Sequence, residues 1–185
     1  MYGIEYEGII IKVVKGDITK QDTDAVVNAA NKRLSPGGGV AGAIHAAAGP
    51  GLWQECKNIG ICETGKAVIT RGYKLPAKWV IHTVGPVWAN RANDPQMLSS
   101  SYESSLKVAD EQNLRSISFP AISTGAFGYP LEEGAEIALK SVCESAGKLT
   151  SIRLVQFVLY DDRAYNVFEN KLKNIERTIQ DTAGG

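Results

Sequence analysis

Four short segments carry the residue types that could do chemistry. Gly16-Asp17-Ile18-Thr19 follows a strongly apolar run. Taken alone it reads as a turn, with Gly bending the chain and Asp capping the next few residues. Asn28-Ala29-Ala30-Asn31 closes another apolar run. Its two amides can satisfy loop backbone or reach a sugar hydroxyl, and residues just past strand ends in an α/β sheet face the ligand crevice. Ser35-Pro36-Gly37-Gly38-Gly39-Val40-Ala41-Gly42-Ala43-Ile44-His45 leads three glycines into a small-residue helix. That arrangement serves as a hinge, or lets N–H groups and a positive helix end crowd around an anion. Phe119-Pro120-Ala121-Ile122-Ser123-Thr124-Gly125-Ala126-Phe127-Gly128-Tyr129-Pro130 joins a strand to a helix. Its Ser-Thr-Gly turn suits a nest of N–H groups for phosphate oxygens, with Phe127 and Tyr129 as walls. The glycine run is neither a Walker A loop nor a G-x-G-x-x-G fingerprint. Ser123 lacks a nucleophile elbow. His82 reads as a hydrogen-bonded core residue, and two histidines without a paired acidic motif make no catalytic metal site.

The elements that must position these segments alternate along the chain. Strands are predicted at Ile9–Val14, Asp24–Asn28, Lys66–Thr70, Trp79–Val84, Ser116–Ala121 and Ile152–Tyr160, each rich in β-branched or aromatic residues. Helices are predicted at Val40–Ala48, Leu98–Asn113, Leu131–Ala146 and Arg163–Ile179, the last capped by Asp161 or Asp162. The alternation indicates an α/β layered sheet. One domain over residues 1–185 is expected, with a core from about 9 to 180 and a frayed tail at 181–185.

Composition narrows the partners. The 185 residues include 20 Lys and Arg against 20 Asp and Glu, so no broad basic field is available for nucleic acid. Six of the 19 glycines lie within residues 37–51, which demands special backbone geometry or close approach there. Three cysteines without a C-x-x-C spacing predict free thiols in a reducing compartment. No signal peptide and no membrane span is expected, and the reading is a soluble, cytoplasmic, monomeric protein.

As an ordered set, the strings Gly16-Asp17-Ile18-Thr19, Val27-Asn28-Ala29-Ala30-Asn31, Gly37-Gly38-Gly39-Val40, Ala43-Ile44-His45, His82-Thr83-Val84-Gly85-Pro86, Phe119–Gly125 and Phe157-Val158-Leu159-Tyr160 resemble the macro domain family. The likeness spans roughly residues 9 to 172 and is strongest to stand-alone bacterial and archaeal MacroD-type members. The resemblance implies a three-layer α/β/α fold with a mixed, mostly parallel sheet and a cleft for ADP-ribose. It implies that Asp17 accepts from the adenine amino group, that the Ile18 backbone places the base, and that Tyr160 lies against it. It implies that Gly37, Gly38, Gly39 and Val40, together with Ser123, Thr124, Gly125, Ala126 and Phe127, clasp the diphosphate. Asn31 would bind the distal ribose, with Phe127 beside it. A carboxylate accepting from an exocyclic amine selects adenine over guanine, an effect of about 1–3 kcal/mol.

One position departs from the family pattern. Many MacroD-type members carry Asp where this chain has Ala41, and that acid is a proposed activator of the attacking water. Losing a general base costs typically ~10²–10⁴-fold. Water held by a phosphate oxygen of the ligand is the other route, with Asn31 orienting the sugar and His45, four residues after Ala41, assisting or packing. Two function classes emerge. One is a hydrolase acting on mono-ADP-ribosylated proteins or O-acetyl-ADP-ribose. The other is a non-catalytic ADP-ribose reader, which Ala41 favours. The single compact domain favours the hydrolase, which is the reading taken. An ADP-ribose 1″-phosphate phosphatase is a further alternative, and poly-ADP-ribose ends are a further ligand. No cofactor and no metal is implied.

Overall fold

The computed structural model describes residues 1–184. It contains strands β1 (Tyr2–Tyr6), β2 (Ile9–Lys15), β3 (Ala25–Ala29), β4 (Ala67–Arg71), β5 (Trp79–Thr83), β6 (Ser116–Phe119) and β7 (Leu154–Leu159). The helices are α1 (Gly39–Ala48), α2 (Pro50–Ile59), α3 (Asp94–Glu111), α4 (Leu131–Ala146) and α5 (Asp162–Ala183), with a short 3₁₀ turn at Ile18–Lys20. The strands form one sheet in the order β1-β2-β7-β6-β3-β5-β4. The edge pairs β1–β2 and β4–β5 are antiparallel, and the inner pairs are parallel.

Side-chain alternation builds three layers. Val26 and Val27, Val80 and Ile81, and Phe157 and Val158 point to opposite faces because the strand period is two. On one face Val27, Ile81 and Phe157 meet Leu98, Tyr102 and Leu106 of α3, Leu139 of α4 and Phe168 of α5. On the other, Val26, Val80 and Val158 meet Ile44 of α1 and Leu52 and Cys56 of α2. This is the expected mixed, mostly parallel α/β/α sandwich.

Two elements lie outside the predicted set. Strand β1 pairs with β2 through the two-residue turn Glu7-Gly8, both at positive φ (49° and 78°), the geometry that a tight hairpin requires. Its alternation of Tyr2, Ile4 and Tyr6 is the signal that marks it. Helix α2 follows α1 directly, Gly49 at φ +84° ending one helix and starting the next, with Pro50 in the first turn. Glycines on both sides of that proline mask the helical period. Helix α3 starts at Asp94, four residues ahead of its expected apolar face. The tail expected from 181 is helical through Ala183, and Gly185 lies outside the described residues.

Candidate functional site

The sheet opens at the carboxyl ends of its central strands. Strands β3 and β6 pair only at Ala25↔Ile117 and Val26↔Ser118. Beyond those pairs the chains part, at the point where the connection leaving β3 runs toward β4 and β5 and the one leaving β6 runs to the other side, toward β7. A cleft of about 290 Å³ occupies the gap. It is walled by Ala29, Ala30 and Asn31 after β3, Gly37–Ala41 at the start of α1, Gly85 after β5, and Ala121–Ser123 with Gly125–Phe127 after β6. No ionisable side chain is among these residues.

The first wall is a glycine loop fastened at both ends. The Asn31 amide Nδ2 donates to the Ser35 carbonyl at 3.1 Å, and Ser35 N–H donates back to Asn31 Oδ1 at 3.1 Å. Gly38 flanks the start of helix α1 and supplies no side-chain cap, and Gly39 adopts φ +56°. A Cβ on Gly42 would sit 2.2 Å from the Gly37 carbonyl oxygen, so only glycine lets the loop fold back this closely. The N–H groups of Gly38, Gly39 and Val40 find no acceptor among the described residues and border the cleft. Uncapped amides at a helix start favour an anion.

The second wall follows β6. Ser123 sits at φ +66°, and its carbonyl accepts from Tyr129 N–H at 2.8 Å. Its Oγ is buried and unpartnered. A Cβ on Gly85 would lie 2.1 Å from that Oγ, so Gly85 is required for the chain ends after β5 and β6 to approach here. The N–H groups of Gly125, Ala126 and Phe127 also lack an acceptor among the described residues. From behind, the buried Tyr102 hydroxyl of α3 accepts from Ile122 N–H at 3.0 Å.

Other expected residues stand around or behind the cleft. Asp17 and Tyr160 lie just past β2 and β7, which are paired to their last residues at Lys15↔Leu159. Asp17 Oδ1 accepts from Thr19 N–H at 2.9 Å and Thr19 Oγ1 at 2.7 Å. Those bonds hold its carboxyl below the usual carboxylate range, and its Oδ2 has no partner among the described residues. The Ile18 side chain is buried in the α1–α2 core, and its carbonyl accepts from Gln21 N–H at 3.3 Å. Tyr160 is 83% exposed. None of these three lines the cleft itself. Thr124 turns away, its Oγ1 donating to the Ala121 carbonyl at 2.9 Å and its methyl facing Gly134. Tyr129, expected as a wall, is buried in the core against α4 because its backbone turns in to start that helix.

His45 also lies behind the cleft. It is one helical turn after Ala41, yet Ala41 lines the cleft and His45 does not. Its ring stands edge-on to Trp53 at 6.5 Å and 6.4 Å from the His82 ring. Both ring nitrogens are buried without a partner, and burial pushes its pKa down, so the ring is neutral at pH 7. His82 is a hydrogen-bonded core residue, as expected. Asn28 Nδ2 donates to its Nδ1 at 3.1 Å, which leaves its Nε2–H to donate to Thr70 Oγ1 at 2.8 Å. Residues outside the expected set that line the cleft are Ala29, Ala30, Gly85, Ala121 and Ile122, with Ala41. Ala30, Gly85 and Ala121 are marked in the sequence by small size directly after strand ends; Ala29, Ala41 and Ile122 carry no separate signal.

Known proteins resemble the chain throughout this region. The macro domain family model matches residues 27–138. A macro domain-containing protein of Chlorobaculum tepidum is 48% identical over 167 residues, covering 90% of this chain and 97% of its own. An O-acetyl-ADP-ribose deacetylase of Cronobacter turicensis is 46% identical, covering 88% of this chain and 95% of its own. ADP-ribose glycohydrolase MACROD2 of Xenopus laevis is 48% identical, and the match covers 88% of this chain but 40% of that protein. Among solved structures, the Oceanobacillus iheyensis macrodomain with ADP superposes at a TM-score of 0.90, with 39% identity over 96% of this chain and 97% of its own. A Trypanosoma brucei macrodomain in complex with ADP-ribose superposes at 0.83, with 40% identity over 88% of this chain and 68% of that one. Fold, cleft and sequence agree: the chain belongs to the macro domain family.

Proposed function

We propose that the cleft binds ADP-ribose and hydrolyses its linkage to acidic side chains or in O-acetyl-ADP-ribose. The observation that carries this reading is the pair of facing loops whose N–H groups lack acceptors. Such loops suit a diphosphate and need no basic side chain. In this reading Asp17 Oδ2 accepts from the adenine amino group and the Ile18 backbone places the base. Tyr160 folds onto the ring, Asn31 meets the distal ribose, and Phe127 packs beside it. The names of the deacetylase and glycohydrolase relatives support a hydrolase.

The chemistry must suit a cleft without an acid or base. For an ester at the anomeric position, water attacks the anomeric carbon of the distal ribose, the bond from that carbon to the departing carboxylate oxygen breaks, and the water proton passes by way of a ligand phosphate oxygen to solvent. For an acetyl ester on another ribose hydroxyl, water attacks the acetyl carbonyl carbon, the acyl C–O bond breaks, and the ribose oxygen takes up a proton as acetate leaves. A departing glutamate carboxylate has an ordinary pKa near ~4.3 and leaves without protonation, so no general acid is needed. Orientation by Asn31 and the glycine loop supplies the rate. His45, behind the wall and not in the cleft lining, takes no part in this reading. The second reading is a non-catalytic reader, favoured by Ala41 in place of an acid and by the absence of any ionisable lining residue.

Calorimetric titration and a release assay separate these. ADP-ribose and ADP should bind, and GDP should bind more weakly. Asp17→Ala should weaken ADP-ribose about 5- to 150-fold, the equivalent of ~1–3 kcal/mol. Binding that is unchanged in Asp17→Ala overturns the base site. Wild type should release ADP-ribose from a glutamate-modified protein, Asn31→Ala should release less, and Ala41→Asp more. No release above background by wild type leaves the reader.

A further inference from the structure

The segment between β5 and α3 forms an apolar rim beside the cleft. Val87 is 54% exposed and Trp88 37% exposed. The segment is nonetheless firmly held. Trp88 N–H donates to the Phe127 carbonyl at 2.9 Å, joining the rim to a residue that lines the cleft. Asp94, 2% exposed, accepts from Ala89 N–H at 3.0 Å and Arg91 N–H at 3.1 Å, and pairs with Arg91 Nε at 3.3 Å. Arg91 Nη2 donates to the Val87 carbonyl at 3.2 Å, while the guanidinium stays largely in solvent. A buried carboxylate thus fixes a loop whose tryptophan, valine and arginine face outward. Rigid, exposed Trp and Arg are the residue types that dominate binding energy at protein interfaces.

Topology determines which part of a ligand reaches this rim. Along the carboxyl edge of the sheet the order is β2 with Asp17, β7 with Tyr160, β6 with the Ser123 loop, β3 with Asn31, then β5 with Gly85 and Trp88. From β2 to β5 is four strand spacings, roughly 19 Å. A ligand whose base lies at Asp17 and whose far sugar lies at Asn31 ends against the β5 loop. Whatever is attached to that sugar leaves past Trp88. Arg91 and Asp94 form an ion pair, so the loop has no net charge, but Asp94 is buried and the Arg91 guanidinium is the half of the pair that reaches solvent, with N–H groups left to donate to an acidic partner.

We infer that Val87, Trp88 and Arg91 are the docking surface for the polypeptide that carries the ADP-ribose. The surface favours apolar and acidic residues beside the modified side chain. The inference rests on reading the cleft as an ADP-ribose site, and the test keeps the two apart. Free ADP-ribose is compared by titration with ADP-ribose joined through a hydrolysis-resistant amide to a peptide flanked by Leu and Asp, and to the same peptide flanked by Leu and Lys. The acidic conjugate should bind about tenfold tighter than free ADP-ribose. Trp88→Ala should bring it to within about twofold of free ADP-ribose, with free ADP-ribose unaffected. Arg91→Gln, which adds no charge beside the buried Asp94, should abolish the preference for the Asp-flanked over the Lys-flanked conjugate. Trp88→Ala removes only a side chain outside the Asp94 bonds, so it leaves the loop's anchor intact. Equal binding of conjugate and free ligand by wild type, or an advantage that survives both substitutions, overturns the docking surface. Failure of free ADP-ribose to bind overturns the cleft reading itself, and the docking surface with it.

Discussion

Gly42 concentrates the physics of the site in one missing atom. Its neighbour across the turn is the Gly37 carbonyl, 2.2 Å from where a Cβ would be. Gly42→Ala therefore moves backbone, since no flexible side chain is there to yield. The substitution should destabilise the fold by about 1–3 kcal/mol and should also weaken ADP-ribose by about tenfold or more. Chemical denaturation and calorimetry read the two effects, and a loss of stability with intact affinity would show that the loop does not shape the cleft. Ala41 lies one position before it. An acid there would be the sole ionisable group in the lining.

Helix α3 governs the second loop from behind. Tyr102 is fully buried, and burial pushes its pKa up, so its hydroxyl stays neutral and accepts from Ile122 N–H at 3.0 Å. Tyr102→Phe keeps the ring packing against Phe119 and leaves that buried N–H unpaired. The expected cost is about 1–3 kcal/mol in a urea titration, with weaker ADP-ribose binding as the Ser123 loop loosens. An affinity equal to wild type would mean that the loop is held by its own turn bonds. The segments on which the site is built were legible in the sequence because turn chemistry is local: Gly-Asp, Asn-x-x-Asn and the glycine run announce themselves within a few residues. Helix α2 was not legible, and strand β1 carries only a five-residue alternation broken by Gly3. Each is short and glycine-flanked, and each is stabilised by packing on neighbours that periodicity does not report.

The folded chain should lose stability as pH falls, largely through one residue. Burial and the nearby His45 lower the His82 pKa from 6.5 to about 3. Between those values the unfolded chain binds a proton that the folded chain refuses. Stability is thus fully present above about pH 6.5 and falls by ~1.4 kcal/mol for each pH unit below it. The lowered pKa of His45 adds in the same direction. Asp17 and Asp94 have lowered carboxyl pKa values, so their contribution disappears only at more acid pH. Urea denaturation at pH 7 and pH 5 should show the slope, and His82→Gln should reduce it by about one proton. A slope unchanged in His82→Gln would assign the effect to other groups.

Local order in the chain was enough to set most of the strand and helix types, the turn residues and the glycine-rich loop, because those depend on neighbours within a few positions. Long-range pairing decided the rest. Ala25 lies beside Ile117 and Ile11 beside Val155, and only those registers bring the strand ends and two loops to one edge. The same pairing turned His45, Thr124 and Tyr129 away from the cleft and put Gly85 into it. A side chain's direction follows from the face its backbone presents to the sheet, and that face exists only once the distant strands have met.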